Sequence, residues 1–287
     1  MQANIQTIRT RYADISVRDS GGCGYPLLLL HGSGSSRHVF VRQFESAELR
    51  HIRILALDLP GHGDSTDASL LEGYTLQGLA ATIMEVLGKL SLTQVAVFGW
   101  SLGGHIAIEL AAGNSPVSGL MLTGTPALPK GPLGMLRGFR PSWDLLLASK
   151  PEFTPRDLKR YLTMCYGEED THYQAHLQAL LRSDGRLRQT VFKTMMRGDG
   201  ADQRRVVEAA DILIAIVNGE DDPVVRQSYL ETVSLRSLWE GKCHRLPGTG
   251  HSPFWSKPDL FNPLLARFVD DVEAFQLSLN TPKAHRA

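Results

Sequence analysis

"FGWSLGG", residues 98–104, decides how the chain is read. The apolar run Val95, Ala96, Val97 and Phe98 precedes it and reads as a buried strand. His105 through Ala112 follows it and reads as a helix. Ser101 therefore stands at a strand-to-helix corner crowded by Gly99, Gly103 and Gly104. Residues that small at a corner mean a positive φ or a close approach of neighbouring backbone. Gly99-Trp100-Ser101-Leu102-Gly103 fits the pattern G-x-S-x-G in the context it requires, strand then helix, which holds a serine hydroxyl out over a sheet edge. The helix N-terminus behind it places free N–H groups where an oxyanion would form.

Outward from this corner the chain alternates. Residues 5–17 read as a hairpin or two short strands, and 26–31 (PLLLLH) and 53–58 (RILALD) as continuous apolar strands. Leu76, Leu79, Ala80, Ile83, Met84, Leu87 and Leu90 carry helical spacing over about 74–90. A further strand is expected at 119–123. Strands apolar on both faces and alternating with helices predict an α/β fold with a mostly parallel central sheet covered on both sides. The alternation stops near Pro126 and resumes with the strand 212–218, a short strand at 243–246 and a closing helix over about 258–275. The expected organisation is a core of residues 1–126 and 210–287 with a helical cap, 127–209, inserted between two core strands.

Bulk properties exclude several classes of function. The 287 residues carry 30 Lys plus Arg and 30 Asp plus Glu, a formal net charge of zero. Such a balance gives no footing for nucleic acid or an anionic membrane surface. No apolar run approaches the roughly 20 residues of a membrane span, and the first residues lack a signal-peptide pattern. Cys23, Cys165 and Cys243 are far apart, odd in number and without metal-ligand spacing. They suit a reducing compartment, so a cytoplasmic protein without metal or other cofactor is expected. His172 and His176 lack a third ligand and read as solvated residues of the helical insertion.

A serine hydroxyl needs a base. His251 lies in the glycine-flanked loop 247–253 (PGTGHSP) after the last strand. Glu220, Asp221 and Asp222 crowd the loop after strand 212–218, and each is a candidate for the acid that orients the base.

These motifs, with His31-Gly32 and residues 58–65 (DLPGHGDS), fall in the order of the α/β-hydrolase superfamily, which the chain resembles from about residue 10 to 275. The resemblance implies the catalytic set Ser101, Asp222 and His251, with Asp221 the main alternative acid and Glu220 a further one. It also implies an oxyanion hole from the amides of Ser33 and Leu102, with His31 structural. The stretches 58–68 (DLPGHGDSTDA), 97–109 (VFGWSLGGHIAIE), 119–126 (GLMLTGTP), 217–225 (VNGEDDPVV) and 238–244 (LWEGKCH) look more closely like the metal-independent N-acyl-homoserine lactonases of this fold. Where those enzymes carry Glu as the acid and Asn after His-Gly, this chain carries Asp222 and Ser33. The matching cap tyrosine, which assists the substrate oxygen there, is Tyr161. Trp100, Phe40, Met135, Phe139 and Trp143 are expected in the substrate pocket, with Leu128, Leu133, Leu136, Leu146 and Met164 as further candidates. The expected partner is a small ester or lactone. The competing readings are a carboxylesterase with the same triad, a cofactor-free dioxygenase and a non-catalytic receptor.

Overall fold

The computed structural model describes residues 4–168 and 170–280. Its spine is an eight-stranded sheet: β1 (Asn4–Arg9), β2 (Asp14–Asp19), β3 (Pro26–Leu30), β4 (Arg53–Leu57), β5 (Val95–Trp100), β6 (Val117–Thr123), β7 (Leu213–Gly219) and β8 (His244–Leu246). In space the order is β1-β2-β4-β3-β5-β6-β7-β8. β1 and β2 pair antiparallel, β2 joins β4 antiparallel, and every later pairing is parallel. The strand order turns at β3: β4 lies on one side of it and β5 on the other. A crevice opens beyond the carboxyl ends of strands at such a turn.

The helices are α1 (Leu76–Lys89), α2 (Leu102–Ala111), α3 (Pro132–Gly138), α4 (Pro155–Tyr166), α5 (Tyr173–Arg182), α6 (Gly185–Arg197), α7 (Gln203–Ala209) and α8 (Pro258–Asn280), with a 3-10 segment at Trp143–Ser149 and single helical turns elsewhere. Thr75 caps α1 by accepting the Gly78 N–H, and Thr154 and Asp157 form a reciprocal capping box on α4. Alternate strand residues feed two cores. Leu28, Leu30, Val97 and Leu120 pack with Leu79 and Ile83 of α1 and Ile106 of α2. Leu27, Leu29, Phe98 and Met121 pack on the other face with Phe261, Leu265 and Phe268 of α8. Each such side chain contributes about 2 kcal/mol by leaving water. That two-sided burial is why these strands read as unbroken apolar runs.

The architecture is the one expected, with small shifts of boundary. β6 begins at Val117, and α1 starts at Leu76 because residues 71–74 form a 3-10 turn. α8 runs on to Asn280. Between β6 and β7 come α3 to α7 and a 3-10 segment, with no sheet strand among the described residues. None of the described helices is long and apolar enough to cross a membrane.

Candidate active site

Ser101 follows β5 and precedes α2 with φ 54° and ψ −116°, a left-handed conformation that a serine holds only under constraint. Two hydrogen bonds hold it there. Its N–H donates to the Thr123 carbonyl at 2.9 Å, and its own carbonyl accepts from Thr125 Oγ1 at 2.9 Å. The flanking glycines are obligatory: a Cβ on Gly103 would lie 2.1 Å from the Leu30 carbonyl oxygen, and one on Gly99 2.5 Å from Gly104 Cα.

Parallel pairing of Leu30 with Gly99 sets the loop after β3 level with this corner. Two histidines fix that loop. His31 Nδ1–H donates to the Gly32 carbonyl at 2.8 Å while Nε2 accepts the Leu59 N–H at 3.0 Å. His62 donates to the Pro60 carbonyl at 3.1 Å and accepts the Gly34 N–H at 3.0 Å. Each ring thus uses one nitrogen as donor and one as acceptor, the pattern of a neutral imidazole. Burial pushes His31 down to about 4 and His62 well below its ordinary value. Arg37 closes the loop from behind on Asp58. Among the described residues neither the Ser33 nor the Leu102 amide finds an acceptor, and both residues line the cavity above Ser101.

His251, in the loop after β8, lines this cavity, and Asp222, in the loop after β7, is buried beside its ring. His251 Nδ1 lies 3.1 and 3.0 Å from the two carboxylate oxygens of Asp222. The same carboxylate accepts the Val224 and Val225 N–H groups at 2.7 and 3.1 Å. Burial alone would raise the Asp222 pKa. The His251 ring and these amides outweigh it and hold the carboxyl below its ordinary value. Asp222 is fully buried, whereas Asp221 is exposed. The carboxylate that meets the imidazole is therefore Asp222, and Asp221 points elsewhere. His251 is braced by Trp100, whose Nε1–H donates to the His251 carbonyl at 2.9 Å, and by Gly124 beneath the ring. No hydrogen bond joins Ser101 to His251; the two line one cavity, and such bonds commonly tighten only around substrate.

That cavity, of about 100 Å³, is roofed by α3, α4 and α6 through Met135, Tyr161, Met164, Val191 and Met195, and by Phe139 just after α3. Tyr161 donates its hydroxyl to the Ser33 carbonyl at 2.9 Å, and burial pushes its pKa up. Met135, Phe139 and Tyr161, expected in the substrate pocket, line this cavity.

Two pocket expectations are corrected. Phe40 is wholly buried among Phe98 and Phe254 in the core, too far down to line the cavity. Trp100 sits behind His251 as its brace and is not part of the lining. The Trp143 side chain lies outside the described part of the structure. Leu133, Leu136 and Leu146 are exposed, and Leu128 joins the core. His176 is not solvated: it is buried, stacked on Tyr166 at 3.7 Å.

The sequence reading missed His105, one turn beyond Ser101. It lines the cavity with Nδ1 2.8 Å from Gln203 Oε1, and burial lowers its pKa to about 4. It also missed Cys165, Arg188 and the inner face of α6. A polar residue on the otherwise apolar stretch 102–108 was the available signal for His105.

A carboxylate–imidazole pair beside a strained serine and two unengaged amides is the equipment of acyl transfer. Comparisons with known proteins place the chain among hydrolases. The model of the alpha/beta hydrolase family matches residues 27–264. The crystal structure of a mutant of the N-acyl homoserine lactonase AidH complexed with N-hexanoyl homoserine lactone superposes with a TM-score of 0.90 at 39% identity, over 94% of this chain and 99% of that one. A pimeloyl-[acyl-carrier protein] methyl ester esterase of Xanthomonas axonopodis pv. citri is 30% identical over 267 residues, 88% of this chain and 97% of that protein. A haloalkane dehalogenase of Psychrobacter cryohalolentis is 30% identical over 146 residues, and the match spans 46% of its length.

Proposed function

Since the chain belongs to the alpha/beta hydrolase family and is a hydrolase, we propose that it opens the lactone ring of N-acyl-homoserine lactones by way of a serine acyl-enzyme. The observation that carries the reading is that His251, hydrogen-bonded to the buried Asp222, lines one small cavity together with Ser101. The likeness to a lactonase across nearly the full length of both chains supports the lactone as substrate.

In this scheme His251 Nε2 takes the Ser101 proton as Oγ attacks the lactone carbonyl. Asp222 holds the imidazole by Nδ1 and stabilises its cation. The Ser33 and Leu102 amides receive the oxyanion, each such donor being worth roughly 3–4 kcal/mol of barrier. His251 then protonates the departing alkoxide, which stays tethered to the acyl-enzyme because the ester was cyclic. Water, deprotonated by the same ring, releases the open hydroxy acid. Tyr161 steadies the substrate oxygen, and residues 127–209 act as a lid over the core formed by 1–126 and 210–287. No step calls for a metal. The three widely separated thiols suit a cytoplasmic enzyme.

The test is incubation with N-hexanoyl homoserine lactone and mass analysis of the product. Gain of one water, reversed by acid, is expected; Ser101→Ala should lower turnover by on the order of 10⁶. Retained ring opening in that variant sinks the scheme. The esterase relative supports a second reading, hydrolysis of other small esters. Turnover of nitrophenyl esters with the lactone left intact would favour it, and oxygen consumption would favour a dioxygenase.

A further inference from the structure

His105 stands one helical turn beyond Ser101 on α2, its N–H donating to the Ser101 carbonyl at 3.2 Å. Residues four apart on a helix share a face. The ring is 6% exposed and lines the same cavity as Ser101. Gln203, itself buried, fixes the state of the ring. Its Oε1 accepts the Leu128 N–H at 3.5 Å; a backbone N–H can only donate, so the amide atom there is the oxygen. The same oxygen lies 2.8 Å from His105 Nδ1. Nδ1 therefore carries the proton, and Nε2 of the neutral ring is left as an acceptor. Burial pushes the pKa down to about 4, so Nε2 stays bare at neutral pH. Among the described residues Nε2 meets no hydrogen-bond donor, yet it is not sealed in protein as the orphaned Nε2 atoms of His176 and His244 are. The open space at this ring is the cavity.

A bound substrate that excludes water from this cavity leaves such an acceptor at a cost unless it brings a donor. The other polar groups of the lining have other work. Tyr161 gives its hydroxyl hydrogen to the Ser33 carbonyl, Arg188 has donors only, and His251 takes the serine proton in the proposed reaction. An N-acyl-homoserine lactone carries several acceptor oxygens but one donor, its amide N–H. That nitrogen is two bonds from the ring carbonyl carbon that Ser101 attacks. A donor so near the attacked carbon matches an acceptor one turn from the nucleophile, and the apolar side chains of the roof offer the N–H nothing. Resting on the proposed lactone opening, we infer that His105 is a specificity-determining residue: its Nε2 accepts the substrate's amide N–H and so selects lactones that bear an acylamino group beside the ring carbonyl.

The experiment compares kcat/KM for ring opening of N-hexanoyl homoserine lactone and of 3-(2-oxoheptyl)-γ-butyrolactone, in which a methylene replaces the N–H. The proteins are the wild type, His105→Phe and His105→Gln. The ratio of the two substrates cancels the amount of folded enzyme, and comparing that ratio between proteins cancels the unequal reactivity of the two rings. His105→Phe should shrink the wild-type ratio about tenfold, the scale of one buried acceptor paired or left unpaired. His105→Gln, whose Oε1 can take the place of Nε2, should keep more of the ratio than His105→Phe. A ratio that stands in His105→Phe, or that falls equally in both variants, overturns the assignment and leaves His105 as a tie between α2 and Gln203. If the wild type opens neither lactone, the lactonase reading has failed. The same three proteins are then compared on ethyl N-hexanoylglycinate and ethyl 4-oxononanoate, which differ by the same exchange of N–H for methylene. There the same changes of ratio support or overturn the role of His105, and a wild type inert to both esters overturns it.

Discussion

The Tyr161 hydroxyl donates to the Ser33 carbonyl across 2.9 Å, tying α4 to the loop that carries the candidate oxyanion amide. One turn of helix further on, Tyr166 reaches Ser35 Oγ at 3.1 Å. The roof and the loop are therefore one mechanical unit at this point. Tyr161→Phe removes the first link while the ring keeps its packing beside Phe153. The expected result is a fall in kcat of about tenfold, the scale of one hydrogen bond, with the melting temperature close to that of the wild type. Steady-state kinetics and a thermal melt check it; wild-type kcat would take Tyr161 out of the site.

Asp222 and Asp221 are neighbours in sequence with opposite fates, and their asparagine variants should separate. Asp222→Asn keeps the shape but lets the imidazole settle in the wrong tautomer, and turnover should fall by about 10⁴. Asp221→Asn alters an exposed side chain and should leave turnover near wild type. Equal losses in the two variants, measured under saturating ester or lactone, would reject Asp222 as the orienting acid.

The contrast between those two carboxylates also marks where the sequence stopped being legible. The corner at Ser101 could be read because glycine spacing, a preceding strand and a following helix all demand the same sharp turn. Which of three successive acids turns inward depends on the loop amides of Val224 and Val225, which capture Asp222 Oδ1; no local pattern encodes that. Phe40 and Trp100 misled for a related reason: an aromatic beside a motif serves a core as readily as a pocket. Arg188 was invisible because an amphipathic helix reveals that it has an inner face, not what that face meets.

Stability should depend on pH through imidazoles kept neutral. Burial lowers His31 and His105 from 6.5 to about 4. Between those values the unfolded chain binds the protons and the folded one refuses them. Stability is therefore full above about pH 6.5 and declines toward pH 4, each ring contributing a slope of about 1.4 kcal/mol per pH unit. Asp222, with its carboxyl held low, adds a loss of the same sign at still lower pH. Urea unfolding at pH 7 and pH 5 should show a lower midpoint at pH 5. An unchanged midpoint would mean that these rings take up protons without disturbing the loop that the His31 and His62 acceptors fix.

Gly124 offers a way to move the His251 ring without touching it. Its φ is +63°, and a Cβ there would lie 2.5 Å from His251 Cε1 and 2.9 Å from Nδ1. Gly124→Ala must push the imidazole off its line to Asp222. A displacement of about 1 Å at a reacting group can cost about 100-fold in rate, so kcat should fall on that scale. Backbone strain alone is removed by comparison with Gly131→Ala, where φ is +81° and nothing lies within 4 Å of the added carbon. Both alanines should cost about 1–2 kcal/mol of stability for the left-handed backbone, but turnover should collapse only at position 124. If the two variants lose activity in equal measure, the loss comes from strain in the chain, and the ring at 251 does not owe its working position to the bare glycine beneath it.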